Sequence, residues 1–187
     1  MHGGESDTVN REQTLSHQTI GALAERLQRL CRDRGVMLTT AESCTGGGVA
    51  SAITDIAGSS AYFETGYVTY SNAAKQRLLG VPDAILAERG AVSRETVEAM
   101  VAGACRESGA DLAVAISGVA GPGGGSAEKP VGTVWFAWGG TRACRSECRH
   151  FAGDRRAVRE QAVHRALSGL IEALVDAERA STGTMQG

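Results

Sequence analysis

The chain has 187 residues, with 19 Lys and Arg against 21 Asp and Glu for a formal net charge of −2, and 42% of it is hydrophobic. That is enough for one domain with a sizeable core. It carries no basic excess of the kind that marks a nucleic-acid binder and no apolar run long enough to span a membrane, so neither partner is expected.

The N-terminus is polar rather than signal-like, so a cytoplasmic protein is expected. Residues 1–16 carry no apolar period and are expected to be a mobile leader, residues 17–180 the folded domain and residues 181–187 a flexible tail. From His17 to Arg34 the residues Ile20, Leu23, Leu27, Leu30 and Cys31 recur at helical spacing, with Gly35 where a C-terminal cap belongs. A β-branched run from Val36 to Thr40 predicts a strand. The turn Glu42-Ser43-Cys44-Thr45-Gly46-Gly47-Gly48 follows it, and Val49, Ala50, Ile53, Ile56 and Ala57 predict the next helix. Three consecutive glycines permit positive φ and close approach of the backbone to a ligand, while amides opening a helix suit an anion or an oxyanion. A plain turn capped by Ser43 or Thr45 fits the same residues.

Phe63 to Tyr70 predicts a strand, and Ser71 to Gly80 a short helix with a capping serine, a terminal glycine and Lys75 in its first turns. A cation there opposes the helix dipole, although a solvated surface lysine is the commoner outcome. Val81-Pro82 starts another short helix, and Ser93 with Glu95 opens a longer one through Arg106. Asp111 to Ser117 is a nearly continuous apolar run, as in a strand covered on both faces. A second glycine-rich loop, Gly118 to Ser126, follows. Val131 to Trp138 and Arg142 to His150 predict a hairpin whose second strand, with Arg145, Glu147 and Arg149 alternating, reads as an exposed edge. Asp154 caps a final helix expected to run to about Arg179. Alternation of helices and strands predicts a three-layer α/β/α sandwich with a mixed, mostly parallel sheet.

Five cysteines (Cys31, Cys44, Cys105, Cys144, Cys148) form an odd set without a CxxC pair, and the four histidines are dispersed. Reduced thiols, no metal site and no cofactor are expected. Ligands of open α/β sheets bind beyond the carboxyl ends of the strands, where the loops at Glu42 to Gly48, Ser71 to Lys75 and Gly118 to Ser126 are placed. The chemistry these parts fit is acyl transfer: Ser43 attacks an amide carbonyl, Lys75 accepts its proton, and amides near Thr45 to Gly47 hold the oxyanion. Lysine serves as a base only where burial or nearby positive charge lowers its pKa. Arg155, Arg156 and Arg159 open the last helix, where an anionic ligand would relieve cations placed against the dipole; surface pairs with Asp154 and Glu160 would explain them as well.

The strings TAESCTGG (40–47), ITDIAGSSAYFETGYVTYSNAAK (53–75), GAVS (90–93), ISGVAGPGGGSAEKPVGTVWFA (116–137) and FAGDRRAVREQA (151–162) closely resemble the CinA C-terminal domain family, whose stand-alone members are nicotinamide-nucleotide amidases. The resemblance covers roughly residues 17 to 175. It implies hydrolysis of nicotinamide mononucleotide to nicotinic acid mononucleotide and ammonia in pyridine-nucleotide salvage, with Ser43 and Lys75 as nucleophile and base and Tyr70 beside them. Substrate contacts are expected from Glu42, Thr45, Gly46, Gly47, Ser71, Asn72, Ser117, Gly121, Gly123 and Gly124, with Arg155 and Arg159 on the phosphate. Gly48 and Gly123 stand where relatives often carry other residues, and neither removes a reactive group. The larger N-terminal domain of full-length CinA proteins is missing from this sequence, so a single-domain enzyme is expected, as a homo-oligomer and most simply a dimer.

Two rival readings stay open: a non-catalytic regulatory protein linked to competence or the DNA-damage response, and a module that senses the nucleotide without hydrolysing it. Lys75 favours catalysis over sensing. Cys44, next to Ser43 and intrinsically the better nucleophile, is a rival for the attack itself.

Overall fold

The computed structural model describes residue 15 and residues 18–183, without the side chains of residues 179–183. The elements, in order, are α1 (Ile20–Arg34), β1 (Leu38–Glu42), α2 (Gly48–Thr54), β2 (Phe63–Val68), α3 (Asn72–Leu79), α4 (Asp83–Arg89), α5 (Arg94–Ser108), β3 (Leu112–Gly118), β4 (Thr133–Gly139), β5 (Cys144–His150) and α6 (Arg155–Gly183). The expected leader lies outside the described residues except for Leu15, which is buried. The last helix runs to Gly183, three residues into the segment expected as tail; residues 184–187 lie outside the description. Helix ends follow local chemistry. The Thr19 hydroxyl accepts from the Ala22 amide and Gly35 closes α1 with φ 63°, while Asp154 Oδ1 accepts from the Ala157 amide at 2.9 Å to open α6.

The sheet order is β2-β1-β3-β4-β5. β1 pairs in parallel with β2 and with β3, whereas β3–β4 and β4–β5 are antiparallel. The sheet is therefore mixed, as expected; "mostly parallel" holds for strand direction, since only β4 is reversed, but not for the ladders, which divide evenly.

Side-chain alternation divides the core in two. Val114 and Ile116 of β3, with Val134, Phe136 and Trp138 of β4, face α1, α2 and α6, while Ala113, Ala115, Ala41 and Ala137 face α5. Small residues on the second face let the α5 backbone lie close to the sheet. On the first face Gly169 of α6 makes room for the Trp138 indole, since a Cβ there would meet the ring at 2.2 Å. The indole Nε1 donates to Ala166 O at 3.0 Å, so the ring is buried without an orphaned N–H.

The register sets the functional edge. Glu42 stands opposite Val68 and Ile116, and Gly118 opposite Val134, so β1, β2 and β3 end together. β5 ends at the same edge, with His150 opposite Thr133. The loop before α6 joins the three loops expected from sequence.

Candidate active site

Ser43 follows β1 directly, its amide donating to Ile116 O at 2.9 Å, which seats it on the seam between β1 and β3. Here the chain leaves β1 for β2 on one side while β3 lies on the other, the position where open α/β sheets form their crevice. The Gly46 amide closes a tight turn on Ser43 O at 2.9 Å, and Gly46 and Gly47 carry φ of 59° and 95°, which side chains disfavour. Gly48 already has helical geometry; a Cβ there would reach Val163 Cγ2 at 2.8 Å, so its small size serves the packing of α2 on α6.

Lys75 is brought to this turn by α3. Ser71 caps the helix, accepting from the Ala74 amide, and Lys75 on its inner face is 1% exposed. Its Nζ lies 3.0 Å from Ser43 Oγ and donates to Thr69 O at 2.8 Å. Thr69 is itself pinned through its amide to Glu42 O at 2.8 Å. Burial pushes the ammonium pKa below the ordinary lysine range, against a weaker opposing effect of Cys44. The solvated-lysine alternative is thereby excluded. Cys44 is also buried, and desolvation pushes its thiol up to about 11, so the sulfur is held as a thiol at neutral pH.

A cavity of about 210 Å³ opens on these groups, lined by Ser43, Cys44, Tyr70, Asn72, Lys75, Ala91, Val92, Ser117, Gly118, Ala120 and Arg155. Of the residues expected from sequence, Ser43, Lys75, Tyr70, Asn72, Ser117 and Arg155 meet there. Ala91 and Val92 come from the loop between α4 and α5; their signal was the GAVS string, which gave no chemical reason to place it at the site. Arg155 crosses the mouth, donating to Tyr70 Oη at 2.7 Å and to Gly121 O at 2.9 Å.

Other residues expected at the site are engaged by the protein itself. Glu42, expected on the substrate, is fully buried: its Oε2 accepts from Thr45 Oγ1 (2.7 Å) and the amides of Gly47 and Val49, and its Oε1 from the Ala50 amide. A carboxylate at the N-terminus of α2 is favoured by the unpaired amides and the dipole, and this one holds the turn. The amides of Gly46, Gly47 and Gly48 are all spent inside the turn, the last on Thr45 O. Those of Cys44 and Thr45 are the ones that no carbonyl or carboxylate of the turn takes up. Ser71 is a helix cap, and Gly123 and Gly124 do not line the cavity.

The arginines divide as well. Arg159 donates from Nε to Cys44 O and from Nη2 to Thr45 O, both at 3.1 Å. Arg156 is exposed and makes no hydrogen bond or ion pair among the described residues. All three line a second cavity of about 520 Å³ with Gly121, Pro122, Val131 and Asp154, which shares Ala120 and Arg155 with the first.

Among the described residues no helix is long and apolar enough to cross a membrane. All five cysteines are free thiols.

Comparison with known proteins converges on one family. The model of the CinA C-terminal domain matches residues 20–174. The chain is 61% identical over 153 residues to the nicotinamide-nucleotide amidohydrolase PncC of Pseudomonas putida, covering 82% of this chain and 96% of that one. It is 56% identical over 151 residues to the protein of the same name from Escherichia coli K12, covering 79% and 90%. A crystal structure of a CinA superfamily protein from Klebsiella pneumoniae superposes with a TM-score of 0.82 at 44% identity, over 85% of this chain and 99% of that one. With the matched segment spanning α1 to most of α6, and with it every loop of the site, the chain belongs to the CinA C-terminal domain family.

Proposed function

We propose that this protein is a nicotinamide-nucleotide amidohydrolase, the activity named in its close relatives, that it converts nicotinamide mononucleotide to nicotinic acid mononucleotide and ammonia, and that Ser43 is the nucleophile and Lys75 the general base. The observation that carries the mechanism is a fully buried lysine 3.0 Å from a serine hydroxyl at the bottom of a cleft. Burial among neutral partners shifts Lys75 toward the free amine. Thr69 O accepts one of its N–H groups, leaving the lone pair for the Ser43 proton.

Ser43 Oγ adds to the carboxamide carbon as its proton passes to Lys75. The oxyanion is met by the amides of Cys44 and Thr45, the donors the turn leaves unspent. The Lys75 ammonium then protonates the leaving nitrogen, which departs as ammonia, and leaves a nicotinoyl ester on Ser43. Water attacks that ester with Lys75 again accepting a proton and returning it to Ser43 Oγ, which completes the cycle without a metal or cofactor.

Tyr70, Asn72 and Ser117 border the amide end of the cleft. The substrate phosphate is assigned to the adjoining arginine groove, where Arg155 spans both cavities and Arg156 presents an uncommitted guanidinium suited to bidentate contact with phosphate oxygens. A cytoplasmic homodimer belongs to the same reading, with sedimentation velocity as its check.

The test is ammonia release from nicotinamide mononucleotide by wild type, Ser43→Ala and Lys75→Ala. Release that drops by about 10³-fold or more in both variants supports the assignment, on the scale seen when a nucleophile–base pair is broken. A folded wild type that takes up the nucleotide without releasing ammonia would replace it with the sensor reading.

A further inference from the structure

The turn that carries Ser43 is held by two opposite charges, each gripping one kind of backbone group. Glu42 takes its donors, the Gly47, Val49 and Ala50 amides and the Thr45 hydroxyl. Arg159, reaching from α6, takes its acceptors, the carbonyls of Cys44 and Thr45. The guanidinium also lies against the Cα of Gly46, where an added Cβ would stand 3.3 Å from Nη2. Nothing in the sequence separates this arginine from Arg155 and Arg156, which share its charge and its end of the helix.

A trans peptide points its C=O and N–H in opposite directions. Fixing Cys44 O on Arg159 therefore aims the Thr45 N–H away from the guanidinium, and fixing Ser43 O on the Gly46 amide does the same for the Cys44 N–H. A cation on a peptide carbonyl also polarises that peptide and strengthens its N–H as a donor. We infer that Arg159 is a positioning residue for the oxyanion site: it orients and polarises the Cys44–Thr45 peptide through the Cys44 carbonyl, its second contact on Thr45 O bracing the turn, and the nucleotide phosphate is left to Arg155 and Arg156. This rests on the amidase reading for its place in catalysis, though the geometry concerns the nucleophile turn alone.

The test measures the reactivity of Ser43 apart from any amide substrate. A fluorophosphonate probe forms an Oγ–P bond as fluoride leaves and the serine proton passes to Lys75, with the phosphoryl oxygen in the oxyanion position; Ser43→Ala supplies the blank. In Arg159→Met, shown by circular dichroism to be folded, labelling is expected to slow about 10- to 100-fold, below the 10²–10³ of deleting a direct oxyanion donor. Arg159→Lys, which keeps the charge but not the two-pronged grip, should fall between and guards against a misfolded methionine variant. With nicotinamide mononucleotide the same variants should lose kcat while KM stays within about twofold, the pattern of a lost transition-state interaction. Equal labelling rates in wild type and folded Arg159→Met, a wild type in which the probe leaves Ser43 unlabelled, or a raised KM with unchanged kcat would overturn the inference. If wild type labels but releases no ammonia, the amidase reading falls, and the labelling comparison still decides the role of Arg159.

Discussion

Two groups of ionisable side chains shielded from water, one between β5 and α6 and one at the cleft, behave differently because of what surrounds them. Between β5 and α6, Arg165 donates to Glu147 Oε2 at 2.7 Å and to Glu172 Oε1 at 2.9 Å, and Arg145 pairs with Glu172 as well. Arg145 and Arg165 also lie 4.7 and 4.8 Å from the centre of the Trp138 ring. Burial pushes the Glu147 carboxyl up, but Arg165 and Arg149 more than offset it and hold the group at about 2. At the cleft, Lys75 is buried against a hydroxyl and a carbonyl, neither of which carries a countercharge. Glu147, with arginines beside it, is held charged and builds structure; Lys75, with no countercharge and only two neutral partners, is pushed toward neutrality, the state that can accept a proton.

The contrast can be broken from either side. The largest effect on activity is the loss expected in Ser43→Ala and Lys75→Ala, with the thermal midpoint little changed. At the paired site the effect should fall on stability instead. Arg165→Met leaves Glu147 with Arg149 alone and Glu172 with Arg145 alone, and is expected to cost about 1–2 kcal/mol in denaturant unfolding while kcat stays near wild type. If its activity fell as far as its stability, the two regions would not be separable.

Titration sharpens the same comparison. Because the pKa of Lys75 is lowered by folding, the unfolded chain binds more protons there than the native one, and this group makes stability rise with pH up to the ordinary lysine value of about 10.4. Wild type should therefore gain on Lys75→Met as pH climbs toward that value, and kcat/KM should rise with pH as the free amine fills. Glu147 runs to lower pH: its depressed pKa gives stability that is present above the unfolded carboxyl value of about 4.3 and lost as pH falls toward about 2. A flat difference between wild type and Lys75→Met across the alkaline range would remove the argument for a neutral lysine. The smallest effect is expected of Cys44→Ala, within about threefold of wild-type kcat/KM, since a thiol pushed up to about 11 is a poor nucleophile at pH 7.

Ser43 and Lys75 were legible because each has a local signature: a strand running into a glycine turn, and a lysine one turn into a short capped helix. Their meeting was not a local matter. It depends on the parallel register of β1 on β2 and on Thr69 being pinned to Glu42. From sequence the glycine turn reads as a set of open amides, and Glu42 stands among the expected substrate contacts. Nothing local says that a carboxylate at the end of β1 will fold forward onto amides five to eight residues ahead of it and fill those donors. The three arginines opening α6 were equally opaque, since one helix end gives them one electrostatic argument, and only the approach of α6 to the nucleophile turn separates Arg159 from its neighbours. For β5 the alternating charges of Arg145, Glu147 and Arg149 suggested a solvated edge; Arg165 of α6 covers part of it and turns an exposed pattern into a paired network.

The measurement that bears most directly on the central claim is peptide mapping after acid quenching during turnover of nicotinamide mononucleotide. An acyl adduct is expected on the peptide containing Ser43, carried by the serine oxygen and absent from Ser43→Ala. An adduct on the sulfur of Cys44, or ammonia release undiminished in Ser43→Ala, would contradict it.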